Sequence, residues 1–195
     1  MTAYRELEAE AQGSEGVWQI TRALSFVVLG TELRRGELLG LRWRDVHLLE
    51  SCVQVREAFV KGRFTTLKSR SGRRLIELGP RTLALLQEHW QRTTFPGDDE
   101  LVFCHPEWGR RSIPQSSHVY MCPALKRAGI EKPFRPFHDL RHTALTHEAA
   151  AGNPMSYIQL KAGHSQSQVT ERYIHAAQVL FPGAVAKGEE RMVPS

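Results

Sequence analysis

Two arginines, a lysine, two histidines and a tyrosine occur in an order that would serve phosphoryl chemistry. His138 and Arg141 lie three residues apart, Gly163 is followed by His164, and Tyr173 comes nine residues after that histidine. Residues three apart on a helix share a face, so His138 and Arg141 can enter one site together. Arg34 and Lys68 lie upstream. A phosphodiester exchanging one ester bond for another needs positive charge at its two non-bridging oxygens, proton transfer at the attacking and leaving oxygens, and a nucleophile. Guanidinium forks supply the first, and one preorganised donor of this kind contributes about 3–4 kcal/mol to a transition state. Histidine or lysine can move the protons. A tyrosine hydroxyl attacks well once its proton is taken or its oxyanion is held by nearby cations. The set points to metal-free transesterification on a nucleic acid backbone.

Other chemistries lack their residues. There is no phosphate-binding glycine loop and no acidic metal cage, and His147-Glu148 lacks the second histidine four positions on that a zincin requires. No metal and no cofactor is expected. At 195 residues the chain fits one domain with a real core. With 41% apolar and 24% charged residues it reads as globular rather than disordered. A net charge of +5 suggests a polyanionic partner. Arginines grouped at Arg34-Arg35, from Arg70 to Arg74 and at Arg110-Arg111 sharpen that reading, because guanidinium matches phosphate oxygens bidentately. Cys52, Cys104 and Cys122 are odd in number, widely spaced and without a C-x-x-C pair, which argues for a reducing compartment. The polar, acidic N-terminus is no signal peptide, and the longest apolar run, Ala23 to Gly30, is too short to span a bilayer. The expectation is a soluble, cytoplasmic protein with no membrane partner.

These residues need elements to position them. Val17, Ile20, Ala23, Leu24, Val27 and Val28 recur at helical spacing and predict a largely buried helix from Val17 to Gly30. Thr31 reads as the N-cap of a second helix covering Arg34 to Trp43. Beyond Asp45 the pattern turns to period two. Cys52 to Arg56, Phe59 to Thr66 and Arg74 to Leu78, with turns at Gly62 and Ser71-Gly72, predict a small antiparallel sheet of three strands. Pro80 starts a helix whose buried face is Leu83, Leu85, Leu86 and Trp90. A loop follows to Arg111, then a helix over about 116–128 disturbed by Pro123 and closed by Gly129. Pro136 starts the helix bearing His138 and Arg141, which ends at Gly152; Asn153-Pro154 opens the next, to Ala162, and a last helix runs from Ser167 past Tyr173 to Ala177. The fold class is α+β, mainly helical, with a small sheet on one side. Residues 1–16 read as a flexible leader and 179–195 as a C-terminal tail.

The ordered set resembles the catalytic domain of the tyrosine recombinases, the phage integrase family, over residues 17–178. Thr31-Glu32-Leu33-Arg34-Arg35-Gly36-Glu37-Leu38 is similar to the family's T-G-x-R-x-x-E-L box, and Leu67 to Arg74 is similar to the strand-turn segment that presents a lysine. His138-Asp139-Leu140-Arg141 matches H-x-x-R, Gly163-His164 matches the second histidine position, and Tyr173 with His175 matches Y-x-H. The resemblance implies that Tyr173 attacks the scissile phosphate to form a 3′-phosphotyrosine, and that Arg34, Arg141 and His164 hold the non-bridging oxygens. It also implies that Lys68 protonates the leaving 5′ oxygen and that His138 is the acid–base partner of Tyr173. Arg35, Arg70, Arg73 and Arg74 are expected on backbone phosphates, contacts that position DNA without reading sequence. Two departures stand out. Glu32 replaces the usual glycine, either pairing with Arg35 or solvent or weakening the site's positive field, and Ala162 replaces a frequent leucine. The family's N-terminal core-binding domain, which closes a clamp on DNA, is expected to be absent from this chain. A monomer in solution is expected, with a homotetramer possible on paired sites of double-stranded DNA.

Blander roles fit other residues. Glu37 reads as a structural ion-pair partner, and Trp43, Trp90 and Trp108 as core or surface anchors. His142, His147 and His175 read as structural or surface histidines; His142 is the candidate exception, four residues after His138 on the same face. The leading expectation is a site-specific recombinase or integrase of a mobile element. The alternatives are a non-catalytic DNA-binding remnant of the same family and a type IB topoisomerase-like nicking-sealing enzyme. A metal-dependent nuclease drawing on the nine histidines ranks last.

Overall fold

Ile20, Ala23, Leu24, Val27 and Val28 form the buried face of helix α1 (Glu15–Thr31), as their spacing requires. The computed structural model describes residues 15–67, 72–104, 129 and 135–180. Thr31 closes α1 rather than capping the next helix, and its Oγ1 donates back to the Val27 carbonyl. The chain then reverses through Glu32, at φ 57°. Helix α2 (Arg35–Leu39) follows, with the Glu37 carboxylate accepting the Arg34 backbone N–H at 2.9 Å. It is shorter than the sequence suggests, and a separate 3-10 turn covers Trp43–Asp45. Gly40 ends it where α2 packs tightly on the next strands: a Cβ there would lie 3.1 Å from the Phe59 nitrogen.

The three-stranded antiparallel sheet has the order β1 (Val46–His47), β2 (Cys52–Val55), β5 (Arg74–Glu77), with Val53 opposite both Val46 and Ile76. Its membership differs from the sequence reading. The segment read as one strand from Phe59 to Thr66 folds back at Lys61-Gly62, where φ is 50° and 79°. It makes a separate hairpin of β3 (Glu57–Val60) and β4 (Arg63–Thr66). On β5 the period of two buries Arg74 and Ile76 and exposes Leu75 and Glu77.

Helix α3 (Pro80–Arg92) begins at its proline. Leu85 and Leu86 are buried, but Trp90 is 45% exposed, and His89 takes the inward position expected of it. His89 Nε2 lies 2.6 Å from the Val102 carbonyl, which can only accept, so that nitrogen carries the proton. Its ring sits between Trp43 and Phe103, with centroids 5.5 and 5.6 Å away.

Helices α4 (Pro136–Ala150), α5 (Met155–Ala162) and α6 (Ser167–Leu180) fall where Pro136, Gly152 and Asn153-Pro154 place them. The main core joins α1, the sheet and α3; a smaller one joins Leu145, Ile158, Ala162 and Tyr173 across α4, α5 and α6. The helix expected at 116–128, the segment before residue 15 and the tail after 180 lie outside the described residues. Among the described residues no helix is long and apolar enough to cross a membrane.

Candidate active site

Three arginines converge on the C-terminal end of α5. That end closes on Gly163 at φ 65°, with the His164 N–H donating to Gln159 O at 3.0 Å and the Gly163 N–H to Leu160 O at 3.1 Å. This double bond pattern needs a left-handed residue, which glycine adopts without a Cβ penalty. It leaves the carbonyls of 161, 162 and 163 unclaimed by the helix. Arg74 Nε donates to Lys161 O at 2.6 Å, Arg141 Nη2 to Ala162 O at 2.7 Å, and Arg34 Nη2 to Gly163 O at 2.6 Å. Cations at a helix C-terminus are each favoured by about 0.3–1 kcal/mol through the helix dipole.

Arg74 and Arg34 also share one carboxylate. Glu37 takes Arg74 at 2.9 and 3.1 Å and Arg34 at 3.0 Å. Burial alone would raise its pKa, but the hydrogen bonds and charges of the two arginines together hold it below the usual range. Arg141 is anchored further by donating to the Glu32 carbonyl. Burial and the neighbouring Arg34 charge pull Arg141 down to about 10, so it remains cationic at neutral pH.

His164 completes the group. Arg141 Nη2 lies 3.1 Å from His164 Nε2, and Thr170 Oγ1 lies 3.0 Å from Nδ1. A guanidinium only donates, so Nε2 accepts and the proton sits on Nδ1, donated to Thr170. Burial, reinforced by Arg141, lowers the His164 pKa to about 4 and keeps the ring neutral. In this arrangement His164 accepts from Arg141 and holds that guanidinium in place. The Tyr173 ring lies parallel to it with centroids 6.1 Å apart. Burial raises the Tyr173 pKa, with Arg141 opposing.

Arg34, Arg141, His164 and Tyr173 line a cleft of about 900 Å³ that also takes in Arg35, Arg135, His138, His142 and Arg172. His138 is exposed on its rim, and His142 stands one turn further along α4, with ring centroids 4.0 Å from His138 and 5.1 Å from Tyr173. Among the described residues no group of three or more His, Cys, Asp or Glu is placed to hold a metal ion.

Of the expected site residues, Arg34, His138, Arg141, His164 and Tyr173 therefore meet around one cleft. Lys68 and Arg70 lie outside the described residues. Arg35 is exposed over the Phe137 ring at 5.7 Å, and Arg73 is exposed with its Nε donating to Leu67 O at 3.1 Å. Arg74 is a correction. Its side chain is 2% exposed and occupied by Glu37 and Lys161, so it does not face a phosphate; strand alternation puts it inside. Of the two readings of Glu32, pairing with Arg35 or solvent is a second correction, whereas its charge does act on the site, at Arg141 and Tyr173. The Glu32 carboxyl is fully buried 3.5 Å from Lys161 Nζ, which also pairs with Glu148. Burial raises Glu32 to about 7 against the pull of Lys161. The sequence reading did not single out Thr170, Arg135 or Arg172: the packing of α6 on α4 and α5 brings Arg172 to the cleft and the buried Thr170 to His164 behind it, while Arg135 enters from the residue before α4.

A family model described as the phage integrase family matches residues 7–179. The chain belongs to that family. A putative prophage phiRv2 integrase of Mycobacterium tuberculosis (strain ATCC 25618 / H37Rv) is 31% identical over 171 residues, covering 82% of this chain and 45% of the relative. Among solved structures, XerA recombinase superposes with a TM-score of 0.70 at 24% identity, covering 99% of this chain and 62% of that one. The Tn1549 transposon integrase in complex with circular intermediate DNA gives 0.75 at 20%, covering 97% and 64%. The fold is that of a tyrosine recombinase catalytic domain. This phage integrase family member spans about half the length of the curated relatives it matches.

Proposed function

We propose that residues 17–178 form the catalytic domain of a site-specific DNA recombinase or integrase that cuts and rejoins double-stranded DNA through a 3′-phosphotyrosine. One observation carries the reading: Arg34, Arg141 and Tyr173 face a single cationic cleft. Two guanidinium groups anchored to the same helix end are preorganised donors for the non-bridging oxygens of one phosphate, an arrangement worth several kcal/mol in a transition state. Tyr173 Oη attacks phosphorus, and O5′ leaves with a proton from Lys68. The buried phenol holds its proton more firmly than in water, so the cations beside it and a base must favour the phenolate as it forms. His164 sets the angle of Arg141. The bond energy stays in the protein–DNA ester, so the step needs neither nucleotide hydrolysis nor a metal. Relatives described as a prophage integrase and as a transposon integrase in complex with DNA support a mobile-element setting. We place the grip on DNA partly in a separate clamp domain, and assembly as a homotetramer on paired sites.

Covalent trapping tests this. The protein is incubated in EDTA with nicked duplexes of random sequence, whose cleaved fragment diffuses away, and run on a denaturing gel. A protein–DNA adduct that disappears in Tyr173→Phe is the expected result. DNA binding with no adduct, even with a clamp domain supplied, would leave a non-catalytic binding module. Relaxation of plasmids lacking paired sites would move the assignment to a nicking-sealing enzyme.

A further inference from the structure

His142 is the described imidazole best placed to serve Tyr173 as a base. Four residues after His138, it shares that residue's face of α4. Its half-buried ring meets His138 edge to face, with centroids 4.0 Å apart at 65°, and meets Tyr173 at 5.1 Å and 45°. His164, the other ring against Tyr173, has both nitrogens engaged, one by Arg141 and one by Thr170. Among the described residues no hydrogen-bond partner holds either nitrogen of His142.

The groups around His142 come from three elements. His138, Asp139 and Arg141 face it from α4, with Arg135 just before that helix. Tyr173 faces it from α6, and His164 from the turn after α5. Burial, then His138 and the two arginines, lower its pKa, with Asp139 opposing. The ring is therefore neutral at physiological pH and has a lone pair to offer.

We propose that His142, rather than His138, takes the Tyr173 proton during strand cleavage, with His138 as the outer member of a two-imidazole relay to solvent. The proposal rests on the transesterase reading above. The Oη–H bond breaks and its proton joins the His142 lone pair. The freed electron pair forms the Oη–P bond, and the P–O5′ bond breaks with its electrons on O5′, which is protonated by Lys68. His142 passes its proton to His138 on the exposed rim. Rejoining runs the same transfers backwards.

Single-turnover adduct formation on the random nicked duplexes, followed from about pH 5 to pH 9, tests the relay. The proteins are wild type, His142→Ala, His142→Gln and His138→Ala, each checked by thermal melting. A parallel duplex carries sulfur in place of the bridging 5′ oxygen, which leaves without a proton. His142→Ala is expected to slow cleavage by roughly 100-fold or more and to flatten the rising acid limb. Imidazole should restore part of the rate and the sulfur should restore none, with His138→Ala the milder variant. A folded His142 variant within about threefold of wild type across the profile, or one cured by sulfur, overturns the relay while a Tyr173-dependent adduct leaves the enzyme class standing. No wild-type adduct, or one that survives Tyr173→Phe, overturns both.

Discussion

The carboxyl of Glu32 is fully buried, and its backbone occupies a left-handed conformation that a side chain disfavours by about 1–2 kcal/mol. Its position follows from that conformation: α1 must end and reverse there, which explains why glycine is the residue expected at this point of the box. With a pKa of 4.5 when unfolded and about 7 when folded, Glu32 favours the native state least when it must ionise. Below pH 4.5 it is protonated in both states and carries no cost. As pH rises through 7 the unfolded chain releases the proton first, and the cost grows to about 3 kcal/mol, at about 1.36 kcal/mol per unit. Glu32→Gly is therefore expected to stabilise the fold by about 1–2 kcal/mol near pH 4.5, from the backbone alone, and by about 4–5 kcal/mol near pH 8, where the ionisation cost is added. Lys161 keeps Glu148 as partner in the variant. Urea unfolding of both proteins at the two pH values measures the gap, and a gap that shrinks with pH would refute the assignment.

At the scale of elements, the end of α5 is the hinge of the site, because one glycine decides where three carbonyls point. A Cβ at residue 163 strains the left-handed turn that aims them at Arg34, Arg74 and Arg141. Gly163→Ala is expected to cost about 1–2 kcal/mol, a melting shift of roughly 2–8 °C for a chain of this size, and Gly163→Asn about half as much, since asparagine tolerates that conformation. Equal melting of the alanine variant and wild type would remove the turn from the explanation. The elements that carry the site were legible in the sequence because their ends are marked by residues with fixed backbone demands: Pro136, Gly152, Asn153-Pro154 and Gly163. Thr31 reads as an N-cap because the residue that reverses the chain is a glutamate, which gives no turn signal. The turn at Gly62 is legible in the sequence, but that its two arms pair only with each other, apart from the three-stranded sheet, depends on how the hairpin packs against α2. Arg74 resembles its exposed neighbour Arg73 in type; strand alternation turns it inward beside Ile76, and Glu37, far away in sequence, makes that burial tolerable. His142 was visible as a spacing, four after His138, but its contact with Tyr173 belongs to the docking of α6 on α4.

For the whole molecule, a net charge of +5 does not say which cations meet a polyanion, but burial separates them. Arg35 and Arg172 are exposed and line the cleft, whereas Arg74 is enclosed in a carboxylate pair. An arginine neutralising a phosphate releases counterions, and each such contact adds about 0.9 to the slope of log affinity against log salt. Fluorescence anisotropy with a random-sequence duplex, across a salt series, reads that slope directly. Arg35→Ala and Arg172→Ala are each expected to reduce its magnitude by about one while leaving the melting temperature near wild type. Arg74→Ala is expected to behave in the opposite way. Removing the more buried of its two arginines leaves Glu37 with Arg34 alone and costs up to about 3–5 kcal/mol of stability, yet the slope of the protein that stays folded should be unchanged. If Arg74→Ala instead lowers the slope by one at full stability, then β5 must turn that side chain outward when DNA binds. The carbonyl-anchored arrangement of the three arginines would then describe only the free protein.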